Sequence, residues 1–196
     1  FSTMWGVWFF AGCAVSGFAF LGMNLVLLKK VGMLPQVTAE HLHDVGKFTY
    51  AFTIFWAYIS FSQFFLIWYA NIPEETTFFH HRMGEGNPWE SIGILLMVAH
   101  FGIPFLLFMP RTIKRNQNTL LAACVYMLCL HFFDLSYAIL PSDHLAGGST
   151  ITASTVLCAI GMFAIVWAAT TFVHARNALI PVKDPRLAES MAFVNF

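Results

Sequence analysis

The sequence predicts an all-α polytopic membrane protein, and three observations predict it. First, the 196 residues are 58% hydrophobic and only 10% charged, where a soluble globular domain carries about 25% charged and about 45–50% apolar residues. The mean hydropathy is +0.69. Second, five apolar runs are each long enough to cross a hydrocarbon core of about 30 Å as a helix. Third, the basic residues segregate to one side of those runs. Lipid offers no hydrogen-bond partner to a backbone, so runs of this length must be helical. A transmembrane barrel would show short alternating segments instead. Ten Lys and Arg against ten Asp and Glu give zero formal net charge, which leaves no basic footprint for a nucleic acid.

The spans are expected near 4–28, 48–70, 91–109, 119–140 and 151–174, with a tail over 175–196. Four of them contain no Asp, Glu, Lys or Arg, and the fourth contains Asp134 alone. The loops orient them. Lys29, Lys30, Lys47, Arg111, Lys114, Arg115, Arg176, Lys183 and Arg186 fall on one side, and Arg82 stands alone on the other. The positive-inside rule then puts the start of the first span in the periplasm and the C-terminal tail in the cytoplasm. Glu74, Glu75, Glu85, Glu90 and Asp143 lie on the outer side.

Local signals place the ends. Gly32 and Pro35 break the chain after the first span. Thr38 is positioned to cap the second, whose polar first turns (39–47) extend below the bilayer. Pro73 starts a short surface helix with Glu74 and Glu75 in its first turn, where the dipole favours anions. Trp68, Tyr69 and Trp89 sit where an interfacial aromatic belt would lie. Pro104 predicts a kink in the third span. Gly147 and Gly148 mark an outer loop. The tail, with Pro181 and Pro185, reads as an irregular strap. The chain begins with Phe1 directly in an apolar run, without the charged flank of a signal peptide, and reads as the C-terminal part of something longer.

Packing accounts for much of the sequence. Gly12 and Ser16 form a small-xxx-small pair on the first span. Cys13, Cys124, Cys129 and Cys158 read as small buried hydrophobes. The twenty-two Phe are core and lipid-facing filler. Thr49, Thr53, Trp56, Ser60 and Gln63 form one stripe along the second span, which must face protein or water, because Gln in lipid is costly. Interhelical hydrogen bonding explains such a stripe, and so does the lining of a polar path.

Asp134 is the first candidate for chemistry. A carboxylate at mid-span costs at least about 2.5–3.5 kcal/mol on insertion scales unless it is paired or neutralised. His131 lies three residues earlier on nearly the same face. Counting from the outer span ends puts His100, His131 and Gln63 at comparable depth. A polar cluster of Gln63, His100, His131 and Asp134 is therefore expected in the outer half of the bundle. It reads in three ways: a network fixing helix register, a proton relay or wall of a quinone pocket, or a bis-His haem between His100 and His131. A second cluster lies at the inner mouth, where Glu40, His43, Asp44 and Lys47 share one face beside His41. It reads as a solvated or subunit-contacting helix end, as a proton-collecting entrance to the stripe, or as a zinc site, for which no second set of ligands is offered. His80, His81 and Arg82, with Glu74 and Glu75, read as an outer loop that is either solvated or in contact with a partner or the lipid surface. No nucleophile triad, phosphate loop or zinc-protease motif is present.

The stretch from His41 to Lys47, the block Phe55 to Gln63, and Ile67 to Glu75 together resemble the ActF family, membrane subunits of bacterial alternative complex III within the NrfD/PsrC-like superfamily. Similarity continues at His100 to Phe105, Arg111 to Asn116, His131 to Asp134, and Phe1 to Gly12. It covers nearly all of 1–180. The resemblance implies a family member about twice as long, of which this chain is the second half. It implies a bacterial inner-membrane complex in a respiratory or photosynthetic chain that oxidises a quinol and passes electrons to a periplasmic c-type cytochrome or a terminal oxidase. Haem c and iron–sulfur clusters would sit in partner subunits: multihaem cytochromes c and an iron–sulfur protein. Quinol oxidation would belong to an NrfD-like sister subunit. This chain would carry no redox centre and no catalytic residue of its own, and would act as scaffold and proton-conducting half-channel. The expected proton path runs through Glu40, His43 and Asp44, then Thr49, Thr53, Ser60 and Gln63, to His100, His131 and Asp134. A quinone-binding subunit and a haem-b electron carrier are the alternatives.

Overall fold

A computed structural model describes residues 4–83, 87–142, 151–192 and 194. Glu85, Asp143, Gly147 and Gly148, assigned above to the outer side, lie outside the described residues, as do Phe1 and the last two residues. Five helical spans are long and apolar enough to cross a membrane, and the described secondary structure is helical throughout. The chain is an all-α polytopic membrane protein.

Helix α1 (Trp5–Lys30) descends to a basic end, where Lys29 and Lys30 occupy its last turn and complement its dipole. Its inward face is Trp8, Ala11, Val15, Ala19, Met23 and Val26, all buried, at the three- and four-residue spacing of one helix stripe. Gly12 and Gly22 are the points of closest approach. A Cβ at Gly12 would stand 2.7 Å from the His131 ring, and one at Gly22 would stand 2.8 Å from Cys124 Sγ. The expected partner of Gly12, Ser16, takes no part in this contact; its hydroxyl donates to the Cys13 carbonyl of its own helix.

Helix α2 (Ala39–Ala70) returns as a single helix of 32 residues, about 48 Å long at the usual rise and longer than a bilayer core is thick. Its polar first turns are helical, as expected. Thr38 caps it, with His41 Nδ1 accepting from the Thr38 backbone N–H at 3.0 Å. Asn71 ends it in the left-handed region (φ 47°). Pro73 then begins α3 (Pro73–His80), with Glu74 and Glu75 in its first turn.

The third span is not a continuous α-helix. It runs as α4 (Pro88–Leu96), a π segment (Met97–Gly102) and α5 (Ile103–Phe108). Pro104 supplies the reason. It has no N–H for the carbonyl four residues back, that of His100. The chain shifts register, so Ile103 N–H donates to Val98 O, five residues back. In that register Pro104 would serve Ala99 O and cannot. The Tyr126 hydroxyl of the next span donates to Ala99 O instead, at 2.8 Å.

Helix α6 (Arg111–Arg115) turns the chain at the basic end. Helix α7 (Gln117–Ile139) is capped by Asn116, whose side chain accepts from the backbone N–H of Asn118 at 2.9 Å. It closes in a 3₁₀ turn over Leu140–Ser142. Helices α1, α2, α4–α5 and α7 enclose one core, to which Trp8, Val15, Leu42, Trp56, Phe108, Leu120 and Met127 contribute.

Helix α8 (Ala153–Arg176) stands apart, with no residue buried. Its ring contacts to the bundle are those of Phe163 and Trp167 with Phe20 of α1, at centroid distances of 6.1 and 6.0 Å. The tail includes a helical turn, α9 (Leu187–Met191), rather than being irregular along its whole length.

Three other expectations are corrected. Of the cysteines only Cys124 is buried, while Cys13, Cys129 and Cys158 face outward. A thiol is apolar enough for a lipid-facing surface, so an apolar run does not tell inside from outside. Trp68 and Tyr69 are exposed, as a belt requires, but Trp89 is buried against Tyr137. Arg82 is not on a solvated loop; it is completely buried.

Candidate functional site

The interior stripe of α2 is real. Thr49, Thr53, Trp56 and Gln63 are all buried on one side of the helix. Thr49 and Thr53 donate to the carbonyls of Val45 and Thr49 in their own helix, at 3.0 and 2.8 Å. That satisfies each hydroxyl proton and leaves the oxygen able to accept. Ser60 accepts from the Trp8 indole N–H at 2.9 Å, tying α2 to α1.

Three spans converge on the middle of that stripe. The π segment turns His100 inward until it is fully buried. Its ring lies 4.1 Å from that of Trp56, tilted by 44°. From α7, Asp134 Oδ2 comes to 3.8 Å from His100 Nδ1. This is within ion-pair range and beyond hydrogen-bond range. The Trp56 indole N–H has no hydrogen-bond partner among the described residues. Among the described residues, both ring nitrogens of His100, Nδ1 of His131 and Oδ2 of Asp134 likewise lack a hydrogen-bond partner. Most buried polar atoms are hydrogen-bonded, so this concentration of polar atoms held apart is unusual. An acid and a base at this separation can share or pass a proton after a side-chain movement of about 1 Å.

His131, expected in the same cluster, has its ring against Gly12 of α1. The two histidines therefore rest on different neighbours. Gln63 is buried on the same face of α2, seven residues beyond Trp56 and so about 10 Å along the helix. Trp56 is the residue that counting from span ends did not assign to the cluster. Its place between Thr53 and Ser60 on the stripe was the available signal.

At the basic end the charges are largely engaged with one another. Arg115 reaches Glu40 at 2.8 Å, and Lys47 reaches Asp44 at 2.7 Å. The stem of Lys114 crosses α2 at Gly46, where a Cβ would stand 2.8 Å from its Cγ. Its ammonium donates to Phe108 O and Met109 O, at the carbonyl end of the third span. Burial, aided by the charges of Lys47 and Arg111, pulls the Lys114 pKa down. His43 is buried one turn inside, and its Nδ1 has no hydrogen-bond partner among the described residues.

At the opposite end Arg82 closes the bundle. Its guanidinium donates to Tyr137 O (3.0 Å), Ala138 O (2.7 Å), Ser142 Oγ (2.9 Å) and Phe78 O (2.6 Å). It lies 3.5 Å from the centre of the Phe78 ring. The carbonyls at the end of α7 lack helical partners and carry the negative end of its dipole, so a cation suits them. Burial brings the Arg82 pKa down to about 10, which keeps the group charged at neutral pH. The signal was legible in principle: a lone cation on the acidic side must be held by something, and a helix C-terminus was at hand.

Comparison with known protein families gives no match, and no curated protein matches the chain.

Proposed function

We propose that the chain is a membrane subunit of a quinol-oxidising electron-transport complex of the alternative complex III kind, serving as scaffold and as part of a proton path. The observation that carries this reading is the His100–Asp134–Trp56 cluster. It is a carboxylic acid and an imidazole buried at mid-span, facing each other at 3.8 Å, with Asp134 Oδ2 and both His100 ring nitrogens unbonded among the described residues. Intramembrane ionisable groups are costly and mark ion or proton pathways by default. The block resemblance to ActF, from Phe55 to Gln63 and from Ile67 to Glu75, supplies the biological setting. The positive-inside rule supplies the orientation, with the basic end in the bacterial cytoplasm.

In this reading a proton enters beside His43, passes the hydroxyl oxygens of Thr49 and Thr53, and reaches His100 and Asp134. Glu40 and Asp44, each facing a cation, tune the mouth rather than carry the proton. Gln63 and His131 line the outer half, and Ser60 holds the wall in place. Electron transfer, haem c, iron–sulfur clusters and the quinol belong to partner subunits, including an NrfD-like sister chain, an iron–sulfur protein and multihaem cytochromes.

The test is Asp134→Asn in the intact complex, reconstituted in vesicles. The expected result is normal assembly and quinol oxidation with proton release per electron reduced. Unchanged proton release would remove Asp134 from the path.

A further inference from the structure

The His100–Asp134 pair is buried, and a proton that reaches it needs a further group to leave toward the outer end. Tyr137 follows Asp134 by three residues on α7, so the two lie on one face of the helix. Side chains on a helix lean toward its N-terminus. Helix α7 begins at the basic end, so the Tyr137 ring leans back over the turn that carries Asp134.

Across the bundle the ring meets α4. A Cβ at Gly93 would stand 2.7 Å from the Tyr137 hydroxyl oxygen and 3.0 Å from Cζ. Any larger residue there would push the phenol away. Gly93 lies seven residues outward of His100 on its span, as Gln63 lies seven residues outward of Trp56 on α2. The hydroxyl therefore sits at the level of Gln63, about two helix turns closer to the outer end than His100. The ring is held from two further sides. The Trp89 ring lies 6.3 Å away, and the Arg82 guanidinium lies 5.7 Å from the ring centre while donating to the Tyr137 carbonyl at 3.0 Å. Burial falls off in the same direction: Asp134 is buried, Tyr137 is partly buried, and Glu90, one turn outward of Gly93, is exposed.

We propose that the Tyr137 hydroxyl is the outward relay for the Asp134 proton, and that Gly93 is the notch that admits it. The inference rests on the proton-path reading given above. The hydroxyl oxygen takes the proton that leaves the Asp134 carboxyl, and its own proton passes to water toward the outer end. One O–H bond forms at the phenol as another breaks, since a hydroxyl both accepts and donates. The phenol ends neutral, Asp134 is left as a carboxylate until a proton arrives from the basic end, and no oxidant or reductant takes part.

The experiment is proton release during quinol oxidation by the intact complex in vesicles. Tyr137→Phe keeps the ring and the carbonyl that holds Arg82, and removes only the hydroxyl. It should slow proton release by about 100-fold, the low end of what a positioned proton-transfer group contributes. Gly93→Ala, which displaces the phenol, should slow release in the same way. Replacing Tyr137 with 3,5-difluorotyrosine makes the hydroxyl more acidic with little change in size. The alkaline limb of the pH profile of release should then move to lower pH, because a phenolate has no proton to hand on. A ring that only fills space would leave that profile where it is. Unchanged release in Tyr137→Phe, or an unmoved profile with the fluorinated residue, would overturn the proposal while Asp134→Asn still lowers release. Unchanged release in Asp134→Asn would overturn the path and the relay together.

Discussion

Arg82 and Asp134 are both charged residues buried against or within α7, and their surroundings differ in kind. Arg82 makes four hydrogen bonds, to Tyr137, Ala138, Ser142 and Phe78. Among the described residues, Asp134 Oδ2 has no hydrogen bond and faces an imidazole with neither nitrogen bonded. A buried charge that only holds a fold together is stabilised by being fully satisfied. A group that must gain and lose a proton cannot be fixed in one protonation state by its neighbours. On the proposed reading the difference separates a structural ion from a working one, and the substitutions below test it.

The largest effect is expected at Arg82. Arg82→Met leaves the Tyr137 and Ala138 carbonyls and the Ser142 hydroxyl without their donor. About 3–4 kcal/mol of stability should be lost, because bonds to a charged donor are worth about 1.5–3 kcal/mol each and do not add fully. Thermal unfolding in detergent would read this as a large fall in Tm. Arg82→Lys keeps the charge but not the planar fork, and should recover only part of the loss. If both variants unfold like the wild type, the structural half of the comparison fails.

Next comes the wall behind His131. Gly12→Ala puts a methyl 2.7 Å from the imidazole and should cost about 1–3 kcal/mol by overpacking. Gly17→Ala, with nothing within 4 Å of the added carbon, should be neutral or slightly stabilising. Unfolding curves for the pair show whether α1 and α7 meet where the geometry puts them. Equal curves would contradict it.

Tyr126→Phe is smaller. It removes the donor that serves Ala99 O in the π segment and should cost about 1 kcal/mol. The same variant should loosen the position of His100, seen as faster hydrogen exchange across 97–102.

The smallest effect on stability is expected at the acid itself. Among the described residues Asp134 Oδ2 makes no hydrogen bond, so Asp134→Asn breaks none there and its unfolding curve should move less than that of Arg82→Met. This contrast with Arg82 sharpens the comparison: the buried charge expected to matter least for folding is the one that the proposed proton path uses.

The sequence carried the fold because span length and charge segregation are one-dimensional properties. The five spans, the long second helix and the Pro73 start all follow from local rules of apolar length and capping. The α2 stripe was legible for the same reason, since helical period alone puts Thr49, Thr53, Trp56 and Gln63 on one face. The meeting of His100 with Asp134 followed from matched depth. The choice of Trp56 as their neighbour did not. Counting inward from an assumed outer end ignores that α2 is longer than the bilayer core is thick and that the third span changes register at Pro104. Arg82 was misjudged because its partners are the carbonyls at the far end of another helix, 55 and 56 residues away. The pairing of Glu40 with Arg115 was hidden likewise, because it joins α2 to α6 across 75 residues. Side-chain contacts between helices depend on rotation about each axis, and hydropathy does not encode rotation.

The most direct measurement is infrared difference spectroscopy of the reconstituted complex during quinol oxidation, wild type against Asp134→Asn. The account predicts a carboxyl C=O band that appears or shifts on turnover in the wild type and is missing in the variant, with overall secondary structure unchanged. A turnover spectrum with the same carboxyl bands in both proteins would contradict it. Asp134 would then be a second structural charge, differing from Arg82 only in how loosely it is held.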